Sequence, residues 1–521
     1  MPRECVTVQI GQCGNQIGSR FWDMVLSEHA NHGAAQQGLF DESMSTFFRH
    51  VDGPGWDANE IPVGDGRRPI ASLRARAVLV DMEEGVVNEV AKGPLGELFD
   101  QRQYVTDVSG SGNNWAHGHE VYGPQYRDAI MESVRQTVEY CDSMQSFFLM
   151  HSLGGGTGSG LGTYILRMLE DEYPTTYRFT TAVFPSEDDD VITSPYNSVL
   201  AINELVQHAS CVLPIENQAL MDICSRIATP GGASSRQREC NDFWSTRLSG
   251  SRVSSNFGSS ANRRPGSSLA DMPNITRSRK KGDPSTRGGG AGGARSAVPE
   301  ERPFDAMNNI AAHVLTGLTS SMRFPGSLNV DLNEITTNLV PYPRLHFLMP
   351  SLSPLFGPSD VRRGPRNLDA MFSDAFSRKT QLIRVDPHHS TYLACALLLR
   401  GNVQVSDVNR NIERLRSKLK TIHWNRDGFK VGICSTQSAR KLPVELLCLA
   451  NNCAIAKTFG GIRDSFERIF KRKAHVHHYT QYMEEGQFHA ARETLLDVIA
   501  QYEALEHAKP PTGGNRLIPV I

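Results

Sequence analysis

Phe147-Phe148-Leu149-Met150-His151-Ser152-Leu153-Gly154-Gly155-Gly156-Thr157-Gly158-Ser159-Gly160 decides how this 521-residue chain is read. An apolar run, Phe147 to Met150, enters a turn built almost wholly of Gly, Ser and Thr. Leu161, Tyr164, Ile165, Met168 and Leu169 then recur at helical spacing. A strand–glycine turn–helix of this kind exposes bare backbone N–H groups and a helix N-terminus, which together bind a phosphate chain. Glycine is needed because a Cβ would block close approach or forbid the backbone angles. No Lys follows the glycines, so this is not a Walker-type loop. Nor does an acid follow a Gly-x-Gly-x-x-Gly at about 20 residues, as a dinucleotide fold requires.

Working outward, Cys5–Ile10, Ala77–Val80, Phe179–Val183 and Cys211–Ile215 are further short apolar runs bounded by Gly, Asp or Pro, with helical stretches between several of them. That alternation predicts a parallel sheet with helices on both faces, whose ligand crevice lies at the carboxyl ends of the strands. From Ile227 to Pro303 the texture changes to Ser, Gly, Arg and Pro, with 13 basic and 6 acidic residues, a net of +7. Such a segment buries too little apolar surface to offset chain entropy and is expected to be disordered. A basic arm for RNA or acidic tails, and an unremoved intron, are the other readings of it. Periodic apolar positions from Phe304 to Met322 predict a long buried helix. Mixed strands and helices follow to Phe459, then two helical patterns, Ile462–Phe470 and Phe488–Tyr502. The expected divisions are therefore 1–226 for nucleotide binding, 227–303 for the insert, 304–323 for the core helix, 324–459 for a second α/β domain, and 460–521 for a helical hairpin and short tail.

Hydrophobic content of 39%, charged content of 21% and a formal charge of −2 fit an ordinary soluble protein and do not single out nucleic acid as a partner. Ten scattered cysteines form no Cys-x-x-Cys pair, as expected for reduced thiols rather than disulfides or a zinc site. No apolar run approaches the roughly 18 residues that span a bilayer. The chain opens on a strand with no signal peptide before it, and the expectation is an intracellular protein without a membrane partner.

The run Gly154–Gly160 resembles the signature of the tubulin family, and the likeness extends over nearly the whole chain apart from the insert and tail. It implies an α/β fold with a parallel-sheet GTP-binding domain, a core helix, a second α/β domain and a C-terminal helical hairpin. Gly11-Gln12-Cys13-Gly14-Asn15-Gln16-Ile17-Gly18, after the first strand, is similar to the family's first phosphate loop. The resemblance places Gln12 and Cys13, with Ser152, Gly155, Gly156, Thr157 and Gly158, on the phosphates of GTP or GDP. Asp81 and Glu83 end another strand; alone they read as a solvated acidic turn, and by resemblance they hold Mg²⁺ together with Gln12. Asn113, in Ser109–Trp115, corresponds to a sensor of the terminal phosphate.

In Glu187–Asn197 the resemblance makes Asp190 a ribose contact, while Ser194 stands where the family usually has an acid. Asn217 and Asn308 correspond to guanine readers, since an amide offers a donor and an acceptor together, and Phe304 to the ring that stacks on the base. Asp331 and Glu334 read as a helix-capping arrangement on spacing alone. By resemblance they act on the nucleotide of a neighbouring subunit, which implies at most a slow, assembly-dependent GTPase. Runs such as Glu83–Glu89, Phe304–Asn309 and Met371–Phe376, and a tail without a run of Glu, resemble the epsilon branch of the family. That branch implies a cytoskeletal protein of the cytoplasm, centrosome, centriole and basal body. Its implied work is centriole duplication and triplet microtubules, with delta-, alpha- or beta-type tubulins and centriolar microtubules as partners. A free-standing GTPase or a nucleotide-plugged adaptor is the alternative, and a dinucleotide oxidoreductase a more distant one.

Overall fold

The computed structural model describes residues 3–33, 39–40, 42–53, 58–61, 70–186, 189, 191–228, 304–355 and 367–509. Five predicted apolar runs all form strands: β1 (Glu4–Ile10), β4 (Ala77–Asp81), β6 (Met144–Ser152), β7 (Tyr177–Phe184) and β8 (Cys211–Glu216). With β5 (Tyr104–Thr106) they make one six-stranded sheet in the order β5-β4-β1-β6-β7-β8, parallel at every pairing. Every β1 residue is buried, the polar Glu4, Thr7 and Gln9 included, as expected of a parallel sheet covered on both faces. Alternation sorts the side chains: Phe147 and Leu149 enter one core and Phe148 and Met150 the other. A ribbon of β2 (Phe48–Val51) and β3 (Ser72–Ala75), which sequence reasoning missed, precedes β4.

Helices α1 (Gly11–Gly33), α2 (Glu84–Lys92), α3 (Gly123–Glu139), α4 (Gly162–Glu172), α5 (Ser194–His208) and α6 (Asn217–Ala228) follow or link these strands. The expected core helix over 304–323 is broken: α7 spans Asp305–Leu318, and a short helix, Ser320–Arg323, follows. Thr319 lies at the break, where its hydroxyl donates to the Leu315 carbonyl and accepts from Arg323 Nε. The second half holds α8 (Leu332–Leu339), β9 (Met349–Ser353), α9 (Leu368–Ala375), β10 (Tyr392–Gly401), α10 (Val405–Arg416), β11 (Phe429–Cys434) and β12 (Val444–Asn452). Their sheet runs β11-β10-β12-β9. Backbone bonds from Val212 and Leu348 couple β8 to this half. The two closing helices, α11 (Ile455–Phe470) and α12 (Gly486–Glu506), contain the predicted helical patterns. Of the predicted insert, Ile227 and Ala228 end α6; 229–303 lie outside the described residues.

Three charged side chains fasten the halves together. Glu28 of α1 takes Arg400 of β10 on Oε1 and Arg323 on Oε2, each at 2.7 Å. All three are buried, Glu28 and Arg323 completely. Burial pushes the Glu28 carboxyl up, but the two guanidiniums outweigh it and hold it below the usual carboxylate range. Removing one partner of a buried pair leaves uncompensated charge. Glu28→Gln is therefore expected to lower unfolding free energy by about 3–5 kcal/mol in urea titration; a loss within surface-mutation scatter would refute the role.

His208 closes α5 between Glu170 (Nδ1–Oε2 2.5 Å) and Glu204 (Nε2–Oε2 3.4 Å). Burial pulls its pKa down, yet hydrogen bonds to the two carboxylates prevail and raise it. The folded value lies above the unfolded one, so this contribution is complete below the unfolded pKa of roughly 6.5 and fades as pH rises through the folded value. Thermal stability is expected to fall across that window in the wild type, and less steeply in His208→Gln.

Candidate functional site

Two glycine turns meet where the strand order reverses. From β1 the chain runs outward through β4 and β5 on one side, and β6, β7 and β8 build the other, so the loops after β1 and β6 are neighbours at the switch point. Gly11 begins α1 with φ +71, and a Cβ there would meet Gly158 N at 3.1 Å. Gly156 is packed harder still: a Cβ would come 2.5 Å from Asn114 N and 2.3 Å from Ser111 Oγ. Close approach, not flexibility, is what demands glycine there. The turn Thr157–Leu161 winds as a π-helix and passes into α4. The starts of α1 and of this helix therefore both offer unpaired N–H groups at one place.

A web of side chains fixes the turns relative to each other. Asn197 Nδ2 donates to the carbonyls of Asn113 and Gly154, both at 2.8 Å. Its Oδ1 accepts from Trp115 N at 2.9 Å and Tyr479 Oη at 2.6 Å. Ser111 and Thr157 hydroxyls are 3.1 Å apart, and Asn15 Nδ2 donates to the carbonyls of Gly11 and Val80. Asn113 itself has φ +55, a backbone angle that Asn tolerates better than most residues.

Of the predicted phosphate residues, Gln12 is exposed and Cys13 half-buried at the first turn of α1, beside the Gly11–Gly158 contact. Burial pushes the Cys13 thiol up to about 12, so it stays a neutral group there. Ser152, Gly155, Gly156, Thr157 and Gly158 surround the same turn, with Ser152 packed against Gly158. Asp81 ends β4 and Glu83 follows; the Glu83 carboxylate lies on the face of Gly110, in the turn that leads to Asn113. Burial pushes Asp81 up to about 6, against the N–H of Glu83 that donates to its Oδ1 at 3.3 Å. Asn308 is buried on α7 and its Nδ2 reaches Gln16 Oε1 of α1 at 3.5 Å. Asn217 opens α6 at the end of β8, and Phe304, left-handed at φ +72 and 39% exposed, precedes α7. Arg20 ties α7 to α1 through Asp305 at 2.6 Å.

Asp190 lies outside the described residues, but its neighbour Asp189 does not. The Ser194 hydroxyl donates to Asp189 Oδ2 at 2.5 Å. An acid thus stands against the serine that replaces one, a pairing across five positions that the sequence read as a loss. Lys430, likewise missed, lies 2.5 Å from Glu334 Oε2.

Asp331 and Glu334 do not join this cluster. Asp331 caps α8, accepting from Glu334 N at 2.7 Å, and pairs with Arg3 at 3.4 Å. Arg3 precedes β1, whereas Gln12 follows it, and seven strand residues span roughly 20 Å. The two acids therefore sit at the amino edge of the sheet and the glycine turns at its carboxyl edge.

The profile of the Tubulin/FtsZ family, GTPase domain, matches residues 4–225, and that of the tubulin C-terminal domain matches residues 343–464. The chain is 49% identical over 512 residues to the tubulin epsilon chain of Mus musculus and to that of Homo sapiens, 97% of each chain being covered. It is 30% identical over 520 residues to a tubulin beta chain of Coprinopsis cinerea, covering 97% of this chain and 96% of that one. With glycine turns converging at the switch point of a parallel sheet, the chain belongs to the tubulin family and is a GTP-binding member of it.

Proposed function

We propose that this chain is an epsilon-type tubulin, a cytoskeletal GTP-binding protein of centrioles, basal bodies and the centrosome. Its work there is centriole duplication and the formation or stabilisation of triplet microtubules. Delta-, alpha- or beta-type tubulins and centriolar microtubules are its partners, in the cytoplasm. What supports this is the likeness to tubulin epsilon chains together with a chemical polarity, glycine turns on one edge of the sheet and two acids on the other.

In this reading Gln12, Cys13, Asn113, Ser152, Gly155, Gly156, Thr157 and Gly158 hold the phosphates. Asp190 meets the ribose, and Asn217, Phe304 and Asn308 meet the base. Asp81 and Glu83, with Gln12, hold Mg²⁺, which supplies charge neutralisation on the phosphate oxygens. The donor set fits that ion. One carboxylate is desolvated and its neighbour exposed, and Mg²⁺ keeps several waters and takes one or two carboxylates plus phosphate oxygens. Among the described residues no cluster of three or more His, Cys, Asp and Glu is placed to hold a metal.

Glu334 and Asp331 are the proposed acids acting on a neighbour's nucleotide, which makes the chain a slow, assembly-dependent GTPase. The Lys430 contact favours a second reading. An acid already engaged by an ammonium is not free to orient a water, and in this reading the nucleotide stays as a structural plug in an adaptor that does not polymerise. Mass spectrometry of nucleotide released from purified protein separates the two: GDP accompanies turnover, GTP the plug. In mixed polymer, Glu334→Ala is expected to slow hydrolysis about 10²-fold or more with GTP affinity unchanged; equal rates would leave only the cap. Gly156→Ala is expected to abolish GTP binding while far-UV circular dichroism stays native, because its Cβ collides with backbone. Retained GTP affinity in that variant would sink the phosphate assignment.

A further inference from the structure

The amino edge of the sheet holds a cavity of about 200 Å³ that nucleotide binding leaves unused. It is enclosed by the β2–β3 ribbon, the turn Gln101–Gln103 and the last turns of α3, and is lined by Arg49, Arg74, Arg102, Arg135, Asp100 and Glu139. Of its four guanidiniums, Arg74 is paired with Asp100, and Arg135 with Glu139 and with Glu132.

Arg49 and Arg74 stand directly opposite each other on the antiparallel ribbon, and their side chains line the same cavity. Like charges so placed destabilise a ribbon. Both residues are more than nine-tenths buried, 7% and 5% exposed. Arg74 is accommodated: its Nε lies 3.3 Å from Asp100 Oδ1 and its Nη1 donates to the Glu97 carbonyl. Arg49 instead lies over the Tyr140 ring, 3.4 Å from its centroid, and its buried Nε has no hydrogen-bond partner. Glu60 acts on Arg49 through space, yet burial dominates and lowers the guanidinium's pKa. A buried cation with an unmet donor is costly unless an anion completes it. The planar guanidinium fork matches the oxygens of phosphate or carboxylate bidentately.

We propose that this cavity is a binding site for an oxyanion of the phosphate class, separate from the nucleotide site, with Arg49 as its principal ligand and Arg102 at its mouth. The β2–β3 ribbon and α3 would then be clamped through the anion instead of through direct ion pairs.

The test is titration of inorganic phosphate into the full chain, saturated with Mg-GTP and kept in chloride buffer, read by calorimetry and thermal shift. Wild type is expected to bind phosphate at millimolar concentration or below and to melt higher. Arg49→Gln is expected to weaken phosphate binding at least tenfold. Arg102→Gln changes an exposed side chain, so it guards against misfolding of the first variant; it is expected to weaken phosphate several-fold without altering GTP affinity. Absence of binding by the wild type, or wild-type binding by both variants, would overturn the proposal. So would an equal loss of GTP binding in Arg102→Gln, which would put the phosphate in the nucleotide pocket. Displacement by equimolar glutamate would assign the cavity to a carboxylate and reject the phosphate class.

Discussion

The parallel direction of all six strands in the first sheet is the constraint from which the rest follows. In an antiparallel sheet the ends of neighbouring strands alternate, and no edge is chemically distinct. Here every strand delivers its carboxyl end, and the helix it feeds, to the same edge. N–H groups at helix starts accumulate there, and with them a positive potential that suits a polyphosphate. The opposite edge gathers strand beginnings, where α8 is capped by Asp331 and the arginine-lined cavity opens.

Holding that sheet against the second one calls for more than apolar contact. Glu28, Arg323 and Arg400 come from α1, the helix after α7, and β10, and meet in a fully buried ion triad. Hydrophobic burial is non-directional, so side chains such as Leu315 and Leu398 would accept several sliding arrangements. A carboxylate with both oxygens engaged accepts one. The same α1 that bears Glu28 begins at Gly11, so the triad also fixes the axis along which the first phosphate turn points. Asn308 reaching Gln16 and Asp305 reaching Arg20 set α7 against that same helix.

Much of this was legible because glycine is visible as a letter. Gly156 and Gly11 are where backbone meets backbone, and no other residue fits. The strands were legible because burial on both faces leaves continuous apolar runs. The β2–β3 ribbon escaped because Phe48-Arg49-His50-Val51 buries an arginine and a histidine whose environments arise only from distant residues. The Ser194–Asp189 bond and the Lys430–Glu334 pair were hidden for a related reason. A missing acid at one position was replaced by an acid five positions away, and Glu334, on α8, finds its partner on β11. The break at Thr319 is a local hydrogen-bond choice that apolar periodicity does not register. Asp190, the expected ribose contact, and the insert residues 229–303 lie outside the described residues.

Separation of the two edges constrains any role for Glu334. A carboxylate beyond one end of a strand roughly 20 Å long cannot reach phosphates bound beyond the other. An action on nucleotide must therefore be exerted on a second molecule, head to tail. A contact between unlike faces, repeated, gives a ring where its rotation closes and an open filament where it does not. Lys430 then acquires a meaning beyond pairing. In the isolated chain it occupies the carboxylate, and an approaching nucleotide, itself anionic, competes for that ammonium. Engagement of a neighbour would loosen the pair and free the acid at the moment it has something to act upon. Coupling between assembly and chemistry would then arise from one half-buried lysine, without any change in backbone.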